Sequence, residues 1–363
     1  MSTSTSTLSL DLDPARIEAF AGQLLSTYTH SVVTLLVDLV SRTGLLDALA
    51  GGEGTSGELA ERAGLVERYV RECLGGLVTA GVVAYSPTTA TYALPPEHAV
   101  CLTGPGALNL APISRITALL GRHVSAVADA FRTGGGVSYD EFRPELTDVL
   151  DAVSRGMVDG QLLDGLLPLI EGLRERLAAG ARVADVGCGT GHAVNVLARA
   201  YPHAQVTGYD IAADAISRAR GEAATWGLTN ASFEVCDAAR LPLDPPFAAV
   251  FAFDAIHDQA DPAGVLARIH DALEPGGVFA MLDIKAASAL EDNVGNPLAP
   301  WLYGISTLHC LTVSLAAGGA GLGAVWGEQR AQQMLAEAGF VDVTLHDVPD
   351  DPLDSLYVAL KPA

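Results

Sequence analysis

The sequence predicts an α/β chain: a parallel sheet with crossover helices in its C-terminal half, behind a mostly helical N-terminal half that includes a small hairpin. Three observations predict it. From Ala181 onward, short apolar strands alternate with glycine turns and helical stretches, the pattern of βαβ units. Before that point apolar residues recur at helical spacing, broken by Gly134-Gly135-Gly136, Pro144 and Pro168. The chain has 363 residues, 49% hydrophobic and 18% charged, which is long for one core and natural for two domains.

The N-terminal elements follow in order. Met1 to Ser9 alternates Ser and Thr and lacks the basic and apolar regions of a signal peptide, so residues 1–12 are expected to form a disordered tail. Asp13-Pro14 then opens a helix, with Asp as N-cap and Pro at the first helical position. Its apolar residues, among them Phe20, Leu24, Leu35, Leu36, Leu39 and Val40, fall on several faces, which points to burial between chains or domains. Leu45 to Leu49 ends a helix, and Thr55-Ser56 caps the next. Val66 to Ala80 forms a third, carrying Tyr69, Val70, Cys73, Leu74, Leu77 and Val78, and Gly81 stops it. Val82 to Tyr85 and Thr91 to Leu94 read as two strands around Ser86-Pro87. Three helices and a hairpin make a winged helix-turn-helix over residues 13–105. A helical connector over 106–180 and a sheet domain over 181–363 complete the expected organisation.

Charge narrows the partners. The net charge is −22 with an isoelectric point near 4.6, and the 21 Lys and Arg form no run. Such a surface repels phosphate backbones and anionic lipids. The third helix carries Arg68 and Arg71, but Glu67 and Glu72 cancel them, so the winged helix lacks the footprint of a DNA reader. The five cysteines include no CxxC pair, which fits reduced thiols in a cytoplasmic protein. Two long uncharged stretches, Ala19 to Val37 and Asn293 to Gly327, are interrupted by polar residues or by Pro and Gly. Both are expected as buried helices rather than membrane spans.

The chemistry sits in one run. Ala181-Arg182-Val183-Ala184-Asp185-Val186-Gly187-Cys188-Gly189-Thr190-Gly191 is a strand entering a glycine turn, continued by a helix over His192 to Arg199. Such glycines let the backbone approach a ligand where a side chain would collide. Nineteen residues past Gly191, a second strand, Val206 to Tyr209, ends at Asp210, an acid placed to hold a ribose hydroxyl pair. A dinucleotide site would use GxGxxG, but His192 occupies the sixth position and Asp185 stands inside the first strand. Further strands follow: Phe233 to Val235, then Cys236-Asp237-Ala238; Phe247 to Phe253, then Asp254-Ala255; and Val278 to Asp283 after Leu273-Glu274-Pro275-Gly276-Gly277.

This ordered set resembles the class I S-adenosylmethionine-dependent methyltransferases over the last half of the chain. With the winged-helix part it is similar to two-domain small-molecule methyltransferases: the plant phenolic and hydroxyindole O-methyltransferases and actinobacterial relatives. The resemblance implies a Rossmann-like seven-stranded sheet whose last strand is antiparallel, with Phe340 to Leu345 and Ser355 to Leu360 as its final hairpin. It also implies a homodimer, a small-molecule substrate, and S-adenosylmethionine as cofactor with S-adenosylhomocysteine as product. Gly187, Cys188, Gly189 and Gly191 would line the methionyl end, and Asp185 would bind its amino group. Asp210 would hold the ribose, Ile211, Asp237 and Ala238 would meet the adenine, and Phe253 and Asp254 would close the methionine side.

For the transfer step, Ala255-Ile256-His257-Asp258 follows the fourth strand at the carboxyl edge where such sheets bind ligands. The plant-type enzymes place a His-Asp pair there with His as base. His257 matches, and Asp258 would either orient it or start the next helix. Gln259 stands where an aromatic residue is usual, which puts a phenolic acceptor in doubt. His270-Asp271 falls inside the following helix and reads as a surface feature. The segment 293–327 carries Trp301, Tyr303 and His309 in an uncharged setting, then a glycine run. It reads either as an apolar lid on the acceptor pocket or as a core helix and surface loop, and Tyr28 of the first helix is a further pocket candidate. No metal is expected, because the spacing of Asp254, Asp258 and Asp283 does not by itself gather three carboxylates. A DNA-binding regulator that senses the cofactor and an NAD-dependent oxidoreductase are the competing readings.

Overall fold

The computed structural model describes residues 12–104, 108–349 and 351–363. All but the last residue of the expected tail lies outside them. The chain divides into two compact units, Met1–Thr103 and Gly104–Ala363.

In the first unit α1 (Pro14–Arg42) begins on Asp13, whose side chain accepts from the amides of Ala15 and Arg16. α2 (Leu45–Ala50), α3 (Ser56–Ala63) and α4 (Glu67–Thr79) follow, α3 opened by a reciprocal cap between Thr55 and Glu58. β1 (Ala84–Ser86) and β2 (Thr91–Ala93) pair antiparallel, and α5 (Pro96–Leu102) ends the unit. Leu45, Leu49, Leu59, Leu74 and Leu77 are buried in its core. This is the expected three-helix-and-wing arrangement, with strands a residue or two shifted and shorter. α1 is not a buried helix within the chain: only Asp38 and Val40 are buried, and it is long and apolar enough to cross a membrane. In α4, Arg68 pairs with Glu72 at 2.5 Å and Arg71 with Glu67 at 3.3 Å, so each arginine stands beside an acid one turn away.

The second unit opens with α6 (Ala111–Thr133), α7 (Tyr139–Phe142), α8 (Glu145–Gln161) and α9 (Leu173–Ala178). Strands and helices then alternate: β3 (Arg182–Val186), α10 (His192–Ala200), β4 (Gln205–Asp210), α11 (Ala213–Thr225), β5 (Ala231–Val235), β6 (Phe247–Phe253), α12 (Pro262–Ala272) and β7 (Leu273–Ile284). Four helices follow, α13 (Leu290–Asn293), α14 (Ala299–Leu308), α15 (Cys310–Ala316) and α16 (Glu328–Glu337), and β8 (Val341–Asp347) and β9 (Asp354–Leu360) close the chain. The seven strands order as β5-β4-β3-β6-β7-β9-β8, parallel from β5 to β7, with β9 antiparallel to both neighbours.

β3 and β6 are buried nearly throughout because helices cover both faces of a parallel sheet. The chain starts at β3, winds outward to β5, and returns to β6 beside β3. That reversal leaves a crevice at the carboxyl ends of β3 and β6, where ligands enter open α/β sheets. β7 begins earlier than the strand Val278 to Asp283 read from the sequence, with Leu273 to Gly277 as its first part.

Candidate active site

The turn after β3 is shaped by its glycines. Gly187, Gly189 and Gly191 have φ of +74°, +52° and +71°. At Gly191 a side chain is also excluded by space, since a Cβ would run into the Phe233 ring and the Ala219 methyl. The amides of Gly187 and Cys188 donate to the Tyr209 carbonyl at 2.8 and 3.1 Å, which hangs the turn on the end of β4. Asp210 finishes the job: its Oδ2 accepts the Gly189 N–H at 2.9 Å and its Oδ1 the Ala212 N–H at 2.7 Å. Each oxygen keeps a further lone pair for a hydroxyl.

Asp185 is 1% exposed, and among the described residues its Oδ1 has no hydrogen-bond partner. Burial, and then the charge of Asp210, push its carboxyl up to about 8. An orphaned buried carboxyl under a glycine turn needs a donor, preferably a cation. The amino group of a methionyl moiety is such a donor, and a ribose diol suits the free lone pairs of Asp210. The residues therefore fit S-adenosylmethionine. Ile211, 58% exposed, offers an apolar face. Asp237 is exposed and caps the turn at Ala238, accepting from the Ala239 amide at 2.9 Å. Phe253 is half-buried, and Asp254 follows at φ +50° with its amide bonded to the Leu282 carbonyl.

A charged network that the sequence did not announce holds this turn from the side of α8. Asp151 accepts from the Thr190 hydroxyl, and Arg155 donates to Glu222 at 2.7 Å. The buried His192 sits between Glu222 at 3.1 Å and Asp159 at 2.9 Å. With Arg155 also 2.9 Å from its Nδ1, the residue that stands where a dinucleotide fold has glycine is fixed by three neighbours.

On the other side of the crevice His257 is 3% exposed. Its Nδ1 lies 2.8 Å from Asp283 Oδ1, which also accepts Trp326 Nε1 at 3.0 Å and the Ile284 amide at 2.9 Å. The partner that orients His257 is therefore Asp283, at the end of β7, and not the adjacent Asp258. Asp258 Oδ1 stands 3.3 Å from the other ring nitrogen, Nε2, and it is Asp261 that caps α12. Burial disfavours the charged imidazole, but Asp283 and Asp258 outweigh it and hold the His257 pKa well above the usual range. Asp254 also belongs here: it, His257 and Asp283 each place a polar atom within 4.8 Å of the others. His270 is not a bare surface residue; its ring packs edge-on against Phe340 at 5.2 Å.

The 293–327 segment is tied down rather than loose. Thr312 Oγ1 accepts the Val137 amide at 2.9 Å, Ser314 Oγ donates to the Gln259 carbonyl at 2.9 Å, and Ser306 Oγ accepts the Ala324 amide at 3.0 Å. Trp301 packs against a cluster that includes Ile116, Leu119 and Leu120 of α6. Tyr303 lines a surface cavity of about 230 Å³ with Leu290, Asn293 and Val294. His309 is buried between α14 and α15, with its Nε2 3.7 Å from Asp258 Oδ2 and its ring edge-on to Phe142 at 4.7 Å. Tyr139 joins them, its ring 6.2 Å from that of His309; burial, and then the charges of Asp210 and Asp258, push its hydroxyl up to about 12. Tyr28 belongs to α1 of the first unit, where it is 60% exposed.

A profile of methyltransferase domains matches residues 177–339, and one of Rv2258c-like winged helix-turn-helix domains matches residues 31–104. The chain thus matches a methyltransferase domain that follows a winged helix-turn-helix domain. The ubiquinone/menaquinone biosynthesis C-methyltransferase UbiE of Desulfotalea psychrophila is 32% identical over 169 residues, which cover 45% of this chain and 66% of that one. A trans-aconitate 2-methyltransferase of Methylobacterium nodulans is 35% identical over 96 residues, covering 26% of this chain and 35% of that one. The chain thus spans at most 66% of the length of these curated relatives. Solved structures match the fold more fully. The mitomycin 7-O-methyltransferase MmcR superposes with a TM-score of 0.72 at 18% identity, covering 96% of this chain and 100% of its own. Human N-acetylserotonin methyltransferase in complex with S-adenosylmethionine gives 0.68 at 19%, covering 98% and 100%. The methyltransferase domain accounts for the glycine turn, the two strand-end acids and the sheet order together.

Proposed function

We propose that the protein methylates an oxygen of a small apolar or aromatic molecule, with His257 taking the proton of the acceptor hydroxyl. The observation that carries this reading is the Nδ1–Asp283 contact at 2.8 Å, which leaves Nε2 as the ring nitrogen that would receive the proton. When bound, S-adenosylmethionine supplies a methyl group already activated on a sulfonium, so alignment is the main task left to the protein. Asp185 binds the amino group and Asp210 the ribose. The neutral imidazole of His257 receives the hydroxyl proton, and Asp283 balances the charge that results; because Asp283 and Asp258 raise the pKa of the ring, that neutral form, and turnover with it, should grow as pH rises. The printed names of several fold neighbours, O-methyltransferases among them, support an oxygen acceptor.

The protein is further read as a cytoplasmic homodimer that binds neither nucleic acid nor membrane. The net charge of −22 and the paired arginines of α4 support the absence of nucleic-acid and anionic-membrane partners, and the exposed apolar residues of α1 support the dimer. The test is a methyl-transfer assay across hydroxylated aromatic compounds with His257→Ala beside the wild type, and S-adenosylhomocysteine calorimetry to show that the variant keeps its cofactor site. Methylation at oxygen that falls on the order of 10²-fold or more in the variant is the expected result. Undiminished turnover, or a methyl group found on carbon, would overturn it.

A further inference from the structure

The donor set around the outer nitrogen of His257 is unusual for a site that only moves a proton. His257, Asp258 and Cys310 each offer a ligand atom, and the three lie within 4.8 Å of one another. Cys310 and His257 are buried, at 4% and 3% exposure. His309, at 5%, adds an imidazole whose two nitrogens have no hydrogen-bond partner among the described residues, and Asp258 Oδ1 has none either. Leaving such groups unpaired inside a protein carries the full desolvation penalty.

We propose that His257, Asp258 and Cys310, with His309 as the nearest further donor, form a site for one soft divalent cation of the Zn²⁺ type. The spacing fits. Zinc bonded to nitrogen and oxygen at about 2.0–2.2 Å in a tetrahedron sets its ligand atoms roughly 3.3–3.6 Å apart. His257 Nε2 and Asp258 Oδ1, 3.3 Å apart, have that spacing, while His309 Nε2 lies 3.7 Å from the other carboxylate oxygen, Oδ2, just outside it, which makes His309 the further donor. The outer shell fits as well: a metal-bound imidazole commonly gives its other N–H to a carboxylate, as His257 does to Asp283, and Trp326 braces that carboxylate. A thiol with imidazoles selects a soft or borderline ion over Mg²⁺ or Ca²⁺, which take oxygen ligands.

The functional consequence rests on the role proposed above for His257. A cation there occupies the same Nε2 lone pair that would receive the acceptor proton, so loading the site silences methyl transfer. Binding itself does not depend on that role and is read first.

Chelator-treated protein is titrated with Co²⁺, whose spectrum reports its ligands. The expected result is a thiolate-to-cobalt charge-transfer band with intense visible bands of a four-coordinate ion, saturating at one equivalent and displaced by Zn²⁺. Cys310→Ser should abolish the charge-transfer band, and Asp258→Asn should weaken Co²⁺ binding at least tenfold. S-adenosylhomocysteine titration of each variant shows whether the fold is kept. No thiolate band in wild-type protein that binds S-adenosylhomocysteine, or a band unchanged in Cys310→Ser, overturns the site. With an acceptor in hand, Zn²⁺ should lower turnover and a chelator restore it. Turnover that rises with Zn²⁺ overturns the silencing while the spectrum still decides the site.

Discussion

Asp283 Oδ1 accepts three hydrogen bonds at once, from His257 Nδ1 at 2.8 Å, Trp326 Nε1 at 3.0 Å and its own neighbour's amide, that of Ile284, at 2.9 Å. One carboxylate oxygen therefore fixes the tautomer and the tilt of the imidazole. Asp283→Asn offers an amide that can present its N–H₂ to the ring and reverse the tautomer. We expect turnover to fall about 10–100-fold while S-adenosylhomocysteine affinity stays within twofold of wild type. Trp326→Phe, which removes one donor and keeps the ring, should show a smaller loss of turnover. Steady-state rates beside calorimetry check both, and a fall in affinity without a fall in turnover would count against the arrangement.

Asp210 is a cofactor ligand and a splint for the loop that binds the cofactor, because its two oxygens hold the amides of Gly189 and Ala212. Asp210→Ala should weaken S-adenosylhomocysteine binding by roughly a hundredfold or more, since hydrogen bonds to a charged group are worth about 1.5–3 kcal/mol each and the diol makes two. NAD should give no heat with either protein.

These two acids were not equally legible. Asp210 lies in a continuous motif whose spacing states its role. Asp283 is 26 residues from His257, and only the strand pairing joins them. Phe253, the last residue of β6, pairs with Leu282 of β7, so Asp283 stands level with the start of the loop that carries His257. Reading the two parallel strands as neighbours with aligned ends would have found Asp283; reading along the chain favoured Asp258 because it is adjacent. Trp326 comes from beyond the glycine run, and the partners of His192 come from α8 and α11. Charges that meet across such distances leave no periodic signature. The hairpin β8–β9 and the glycine turn were readable because strand alternation and backbone strain are local.

Asp185 gives the protein a pH dependence of known sign. Unfolded, it loses its proton in the ordinary carboxylate range; folded, it holds that proton up to about 8. The folded state therefore binds more protons through this window, and the stability of the ligand-free protein falls as pH rises across it. Asp185→Asn should raise the melting temperature at pH near 8, at about 2–4 °C per kcal/mol regained for a domain of this size, with little gain near pH 4. The cofactor's amino group prefers the ionised carboxyl, so wild-type affinity should rise with pH toward 8 and that of the variant should not. Calorimetry over this range, with a flat wild-type profile, would remove Asp185 from the cofactor site.

Gly191 combines φ +71° with a Cβ position already filled by Phe233 and Ala219. Gly191→Ala must strain the backbone and push a buried ring, and overpacking of this kind costs about 1–3 kcal/mol. A lower melting temperature together with weaker S-adenosylhomocysteine binding is expected, because the turn cannot keep its shape. Gly189→Ala meets no atom within 4 Å and strains only the backbone, so it should cost less.

α1 exposes Phe20 at 59%, Leu25 at 67%, Tyr28 at 60%, Val32 at 56% and Leu35 at 46%. Only 11% of its most apolar window is buried within the chain. A stripe of this length in water demands a cover, and each large side chain removed from water contributes about 1.5–3 kcal/mol. A second copy can cover it with the same stripe, as isologous dimers do. Sedimentation equilibrium should give a dimer for the wild type and a monomer for Phe20→Glu/Leu35→Glu, with S-adenosylhomocysteine affinity retained. A monomeric wild type that floats with lipid vesicles would instead assign the stripe to a membrane. A monomeric wild type that ignores vesicles would leave the dimer overturned and the stripe to a different protein partner.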